Sequence, residues 1–259
     1  MIKIEVISGK NEVLAAAAHE TEALLCVNRS YQPGDRIEIT GERHLMVKMD
    51  QALLPGEVYL PQGKMTWPVP AGEHRLAYAP GTFEACRHVI TARKLGEEEI
   101  YSSRNIACNP SDLRGDTDFY PHCTANVETR NEACFCARNV IDGMRLNTYH
   151  GEWPFQSWGI GAREDAWCRL DFGRQVNVRE MALTLRADFP HDAYWVKGCV
   201  VLSDGAEIEF PLQKTGERQF VPLGDHTVSW LRLERMQKSD DPSAFPSLTE
   251  WEVFGKDCR

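Results

Sequence analysis

The chain has no run approaching the ~20 consecutive apolar residues needed to cross a bilayer, so no membrane-spanning helix is expected. Its first residues, MIKIEVISGKNEV, lack the continuous apolar segment of a secretion signal and instead alternate apolar and polar positions. They read as a first strand, and a cytoplasmic location is the expectation. Positive charge is also scarce: 29 Lys+Arg face 38 Asp+Glu, a net charge of −9, which argues against nucleic acid or an anionic membrane as partner. There is no HExxH, no G-x-S-x-G and no phosphate-cradling loop. Gly159-Ile-Gly161 lacks a third glycine and a preceding strand, which excludes a dinucleotide site.

Cysteine is present nine times, but never in C-x-x-C spacing; the tightest pair is Cys134-Phe-Cys136. A metal site built from that pair with Cys108, Cys123 and His122 competes with the simpler reading of reduced thiols packed as small hydrophobes. A pairing of Cys108 with Cys258, near the two ends of the second half, also stays open.

The chain has 259 residues, 42% of them apolar, enough for two separate cores. Almost every apolar segment is short, alternating and bounded by Pro, Gly or Asp. In the first half these are IKIEVI, ALLCV, RIEIT, LMVKM, EVYL, MTWPV, HRLAYA and HVITARKL, with turn signals such as Gln32-Pro33-Gly34-Asp35 between them. Strands at this spacing predict an all-β protein of sandwich type. Ala15–Ala18 could instead form a helical turn or two. The charged run at 96–99 marks the boundary between domains expected at 1–97 and 98–259. Residues 1–97 hold 11 basic and 12 acidic side chains, leaving 18 and 26 for the remainder, so the negative charge sits in the second half. After a loop-rich stretch at 105–135, strands resume as WCRLDFG, VREMALTLRAD, WVKGCVVL, EIEFPL, RQFVPL, VSWLRLERM and LTEWEVFG, with Ser203-Asp204-Gly205 as a hairpin turn.

The order of pieces in the second half resembles the discoidin, or coagulation-factor type C, domain of the galactose-binding-like fold, which many bacterial carbohydrate-binding modules share. Residues 104–107 (RNIA) resemble its opening strand and residues 137–143 (ARNVIDG) its Asp-Gly turn. Residues 167–173 (WCRLDFG) and 248–255 (LTEWEVFG) are similar to a middle and the closing strand. The resemblance covers roughly 105–255 and implies a jelly-roll sandwich with a structural calcium at Asp142, Thr148 and Glu250. Asn147 could add an amide oxygen, and calcium does seek six to eight hard oxygens. In this chain Met-Arg-Leu-Asn separates the Asp-Gly turn from Thr148, a longer spacing than the family pattern. The alternative is a tight turn capped by its own Asp.

Sugar recognition needs an aromatic face for the ring and planar polar groups for its hydroxyls. Two stretches supply both: 149–154, with His150 and Trp153, and 185–195, with Arg186, Asp188, His191, Asp192 and Trp195. Phe245 is a possible third wall. The competing reading pairs Arg186 with Asp188 and buries Trp195 as core. The expectation is a non-catalytic protein that binds a neutral carbohydrate at one end of the second sandwich, stiffened by calcium. Two alternatives accompany it: a cytoplasmic interaction module, with a homo-oligomer as one form, and a small sugar-derivative enzyme using His191 with Asp188 or Asp192.

Overall fold

A computed structural model describes residues 1–147 and 151–259. Two β-sandwiches follow one another along the chain. The first contains β1 (Ile2–Ile7), β2 (Val13–His19), β3 (Glu22–Val27), β4 (Arg36–Thr40), β5 (His44–Lys48), β6 (Gly56–Tyr59), β7 (Lys64–Pro68) and β8 (His88–Lys94). These form two antiparallel sheets, β2-β1-β4-β7 and β3-β8-β5-β6. Alternation in sequence becomes alternation in burial: Ile2, Ile4 and Val6 are buried, as are Ile37 and Ile39, while the residues between them are only partly covered. Ala15–Ala18 is strand, pairing with β1 through Ala16 opposite Glu5 and Ala17 opposite Ile4. Four alanines are too few to nucleate a helix, and the edge of β1 supplies a partner for their backbone. HRLAYA is not a strand. Residues Gly72–Ala77 form a 3-10 turn instead, and the Arg75 guanidinium reaches the Pro70 carbonyl at 3.1 Å and Glu84 at 3.2 Å.

After α1 (Glu97–Tyr101) come β9 (Arg104–Asn105), β10 (His122–Ala125), β11 (Trp158–Gly159), β12 (Cys168–Leu185), β13 (Trp195–Leu202), β14 (Glu207–Pro211), β15 (Gln219–Lys238) and β16 (Ser247–Asp257). WCRLDFG and VREMALTLRAD merge into the single strand β12, as RQFVPL and VSWLRLERM merge into β15. The first part of β12 pairs with β10 and the distal part of β15; its second part pairs with β16 and the proximal part of β15. The register breaks between Asp171 and Val176, where Gly173 has φ +64. A Cβ there would lie 2.2 Å from the Tyr120 ring, so the sharp change of direction depends on glycine. One core fills this second body, with Trp158, Trp195 and Trp251 wholly buried.

The loops at 105–135 join the two bodies. Phe119 and Ala133 belong to the core of the first sandwich. Trp67 donates its indole N–H to the Ser111 carbonyl at 2.8 Å, and Tyr59 and Tyr120 exchange backbone hydrogen bonds of 2.7 and 3.0 Å. Arg104 and Arg174 also bridge Glu57 of β6 to Asp257 at the end of β16, across the same seam. Among the described residues no helix is long and apolar enough to cross a membrane.

Candidate functional site

Glu250 meets the turn that carries Asp142, although 108 positions separate the two residues in sequence. Residues Ala137–Ile141 wind as a 3-10 turn that delivers Asp142, whose carboxylate accepts the Met144 N–H at 2.8 Å. Gly143 follows at φ +82 and donates its N–H to both oxygens of Glu250 on β16, each at 3.2 Å. A side chain at 143 would meet Leu54 at 3.1 Å and the Cys108 sulfur at 3.3 Å, so this turn also requires glycine. Arg138 is buried beneath it and donates to the Asp112 and Pro110 carbonyls, both at 2.8 Å.

The electrostatics of the pair are unbalanced. Desolvation pushes the Asp142 carboxyl up to about 6, although the nearby Arg138 charge and the Met144 N–H pull it down. Burial, then the charges of Asp142 and Glu252, push Glu250 well above the usual carboxylate range. Its neighbour Glu252 is different, holding Arg218 at 2.7 and 3.0 Å and Arg145 at 3.3 Å. No guanidinium or ammonium contacts Glu250 among the described residues.

Asn147 takes another place. Its amide donates to the Leu185 and Gly216 carbonyls at 2.8 Å each, and its own carbonyl accepts the Ala187 N–H at 2.9 Å. This ties the segment to the end of β12 instead of the Asp142 turn. Thr148 and His150, expected as cation ligand and sugar contact, lie outside the described residues.

Where β12 ends, Arg186 and Asp192 form a buried ion pair. The guanidinium meets the carboxylate at 2.9 and 3.0 Å through Nε and more closely through Nη2. Asp192 also accepts the Asp188 N–H and lies against His191 Nδ1, both at 3.0 Å. The partner of Arg186 is therefore Asp192, not Asp188. Asp192 is wholly buried and spends its oxygens locally, so it positions neighbours and does not face a ligand. Trp195 is corrected too: as the first residue of β13 it is wholly buried, 6.4 Å from Trp158 in the core, and offers no exposed face. Asp188 is half-buried, with its backbone holding Asp192.

What remains at the surface is coherent. His191, its side chain 42% exposed, stacks on Phe245 with ring centres 6.2 Å apart and planes 19° apart. Both line a notch of about 90 Å³ with Arg186, Phe135, Arg130 and Thr129. Arg186 is 2% exposed, and its Nη1 has no hydrogen-bond partner among the described residues. Trp153 lines a second, wider cavity, and the two share Arg130 and Phe135. The two expected loops thus lie on either side of Phe135. Phe135 stands between two cysteines in Cys134-Phe-Cys136, with nothing in the local sequence to mark its ring as a site residue. Those thiols serve local contacts: Cys136 donates to the Ala133 carbonyl at 2.9 Å, and Cys134 faces Glu132 at 3.7 Å. His122 turns to Asp112 at 2.7 Å. All nine cysteines are free, Cys108 and Cys258 included, and five are buried.

One group of three potential metal ligands occurs among the described residues: His44, Glu57 and Asp257, at the seam between the sandwiches. Arg104 donates to Glu57 at 2.6 and 2.7 Å and to Asp257 at 3.1 Å, and Arg174 contacts both. Two guanidinium groups already balance the two carboxylates, which makes this a structural strut and not a cation site.

No protein-family model matches the chain, and no curated protein matches it. Solved structures similar to it include chitosan-binding module 1 of a chitosanase/glucanase from Paenibacillus sp. IK-5, at 17% identity, 59% of this chain, 99% of that one and TM-score 0.41. A family 32 carbohydrate-binding module of C. perfringens NanJ in complex with galactose is similar at 16% identity, 51% and 91% coverage and TM-score 0.40. A Streptococcus pneumoniae fucose-binding module gives 17%, 62% and 99%, with TM-score 0.42. These are likenesses of fold alone.

Proposed function

We propose that the protein is a non-catalytic binder of a neutral carbohydrate, with the notch beside β12 as its contact and a calcium ion beneath the Asp142 turn. The observation that carries the reading is the state of Arg186. Asp192 fixes its guanidinium and cancels its charge, while Nη1 remains buried and unpaired at a notch walled by the His191–Phe245 stack. Such a group suits a hydroxyl oxygen, not an anion, and the stacked rings suit the apolar face of a sugar. The His191–Asp192 contact alone does not favour catalysis, because Asp192 is committed to Arg186.

For the cation, half-buried Asp142 and buried Glu250 supply two carboxylates that no direct ion pair neutralises among the described residues, the hard-oxygen chemistry calcium prefers. When bound it would neutralise the pair and fix the Gly143 turn; no step of recognition runs through it. The test is a glycan array with His191→Ala and Phe245→Ala. The wild type is expected to bind neutral glycans, and both exposed-site variants to lose that signal while remaining folded. A folded wild type silent across the array overturns the proposal. Arg186→Ala is a poor test, since it leaves Asp192 charged and unpaired in the interior.

A further inference from the structure

The wider cavity, about 530 Å³, opens between the two sandwiches. One wall is the 75–84 turn of the first sandwich, with Leu76, Tyr78 and Thr82; the other carries Trp153, Phe155 and Phe135 of the second. It falls in the size range of small-molecule sites, about 300–1,000 Å³. Its walls are fixed to each other. Gln156 donates its amide to the Leu76 carbonyl at 2.9 Å, and Glu73 accepts the Ala133 N–H at 2.8 Å.

Three features describe what it would hold. The charged side chains at its rim are matched within the protein, Arg75 with Glu84 at 3.2 Å and Arg130 with Glu132 at 2.6 and 2.8 Å, so a charged ligand gains little. Aromatic surface is plentiful: Phe135 and Phe155 meet edge to face at 6.0 Å, and Trp153 lies on the same wall. Thr82, 2% exposed, lines the cavity with a hydroxyl that has no hydrogen-bond partner among the described residues. Buried polar groups are normally paired, which makes this hydroxyl a recognition element in waiting. Because Arg130 and Phe135 line both the cavity and the notch, the two adjoin each other across these side chains.

We propose that this cleft holds the inner sugar units of a neutral oligosaccharide whose terminal unit sits in the notch, so that the first sandwich is part of the binding site. The inference rests on the carbohydrate reading above and adds to it the ligand's minimum length and the role of residues 75–84. A 90 Å³ notch takes only one edge of a sugar ring, whereas the cleft has room for whole rings beyond it.

The test uses the full chain and a neutral array spanning mono- to hexasaccharides, followed by calorimetric titration of the best mono- and tetrasaccharide found. Leu76→Ser alters an exposed side chain, and Thr82→Val removes a hydroxyl that makes no hydrogen bond among the described residues, so neither is expected to unfold the protein. Each should weaken the tetrasaccharide about fivefold to tenfold, the value of one lost hydrogen bond or apolar contact, with the monosaccharide unchanged. His191→Ala should abolish both. Tetrasaccharide binding that withstands both cleft substitutions yet falls in His191→Ala overturns the inference and leaves the carbohydrate reading in place. Silence across the array overturns both.

Discussion

The Glu57–Asp257 and Asp142–Glu250 pairs, both largely shielded from solvent, are balanced in opposite ways. Glu57 and Asp257 meet at the seam between the sandwiches, where Arg104 and Arg174 match their charge. Burial alone would raise Glu57, but the nearby His44 ring and the hydrogen bonds and charge of Arg104 outweigh it and hold the carboxyl at about 2. Asp142 and Glu250 receive backbone N–H groups and no direct ion pair among the described residues; the charges of Arg138 and Arg145 pull them down from nearby, but burial prevails and both rise. The comparison separates two uses of acidic residues. A pair that the chain neutralises itself holds domains together; a pair left unbalanced awaits a proton or a cation.

The largest effect should come from breaking the balanced pair. Asp257→Ala leaves Arg174, only 9% exposed, without its principal partner, and should cost about 3 kcal/mol in chemical denaturation. A loss under about 1 kcal/mol would show that the seam is not held by this cluster.

The pH response sharpens the contrast, because the signs differ. Glu57 has a folded pKa below its unfolded value, so its contribution is present above the ordinary carboxylate range near pH 4 and is lost as pH falls through about 2. Asp142 and Glu250 are raised: the folded state binds their protons more tightly, and that contribution fades as pH climbs through about 6 and beyond. In calcium-free buffer stability should therefore decline from mildly acidic to neutral pH, and Glu250→Gln should flatten the decline. An unchanged slope in that variant would contradict the assignment.

The smallest effects belong to the surface. Phe245→Ala alters an exposed side chain and should change stability by no more than about 0.5 kcal/mol, and His191→Ala, which gives up a contact with Asp192, by about 1 kcal/mol, both less than Arg186→Ala. Thermal melts of all three variants check this. A large loss in Phe245→Ala would mean that its ring serves the fold instead of a ligand.

The strands were legible because their burial follows the period of two, as in IKIEVI and RIEIT, and because Asp-Gly announces a turn at both 142 and 204. HRLAYA carries the same alternation but lies in a turn, since the competing bonds of Arg75 to Pro70 and Glu84 are not visible in a local pattern. Arg186 and His191 were recognisable as an excess of polar and aromatic groups in one loop. The partnership of Arg186 with Asp192 instead of Asp188, and the burial of Trp195, depend on how that loop folds back. Phe135, Leu76 and Thr82 carried no local signal. Packing between segments far apart in sequence, such as Gln156 against Leu76, brings them to the site.

The calcium site at the Asp142 turn is tested most directly by its effect on stability. Thermal unfolding at neutral pH should be recorded for wild type, Asp142→Asn and Asp257→Asn, each with calcium, with magnesium and with chelator. Calcium at a hundredfold over its Kd should stabilise wild type by about 2.7 kcal/mol. A calcium-specific upward shift is expected in wild type and Asp257→Asn and is expected to be absent in Asp142→Asn. A melting temperature indifferent to calcium in wild type, or a shift that persists in Asp142→Asn, would contradict it.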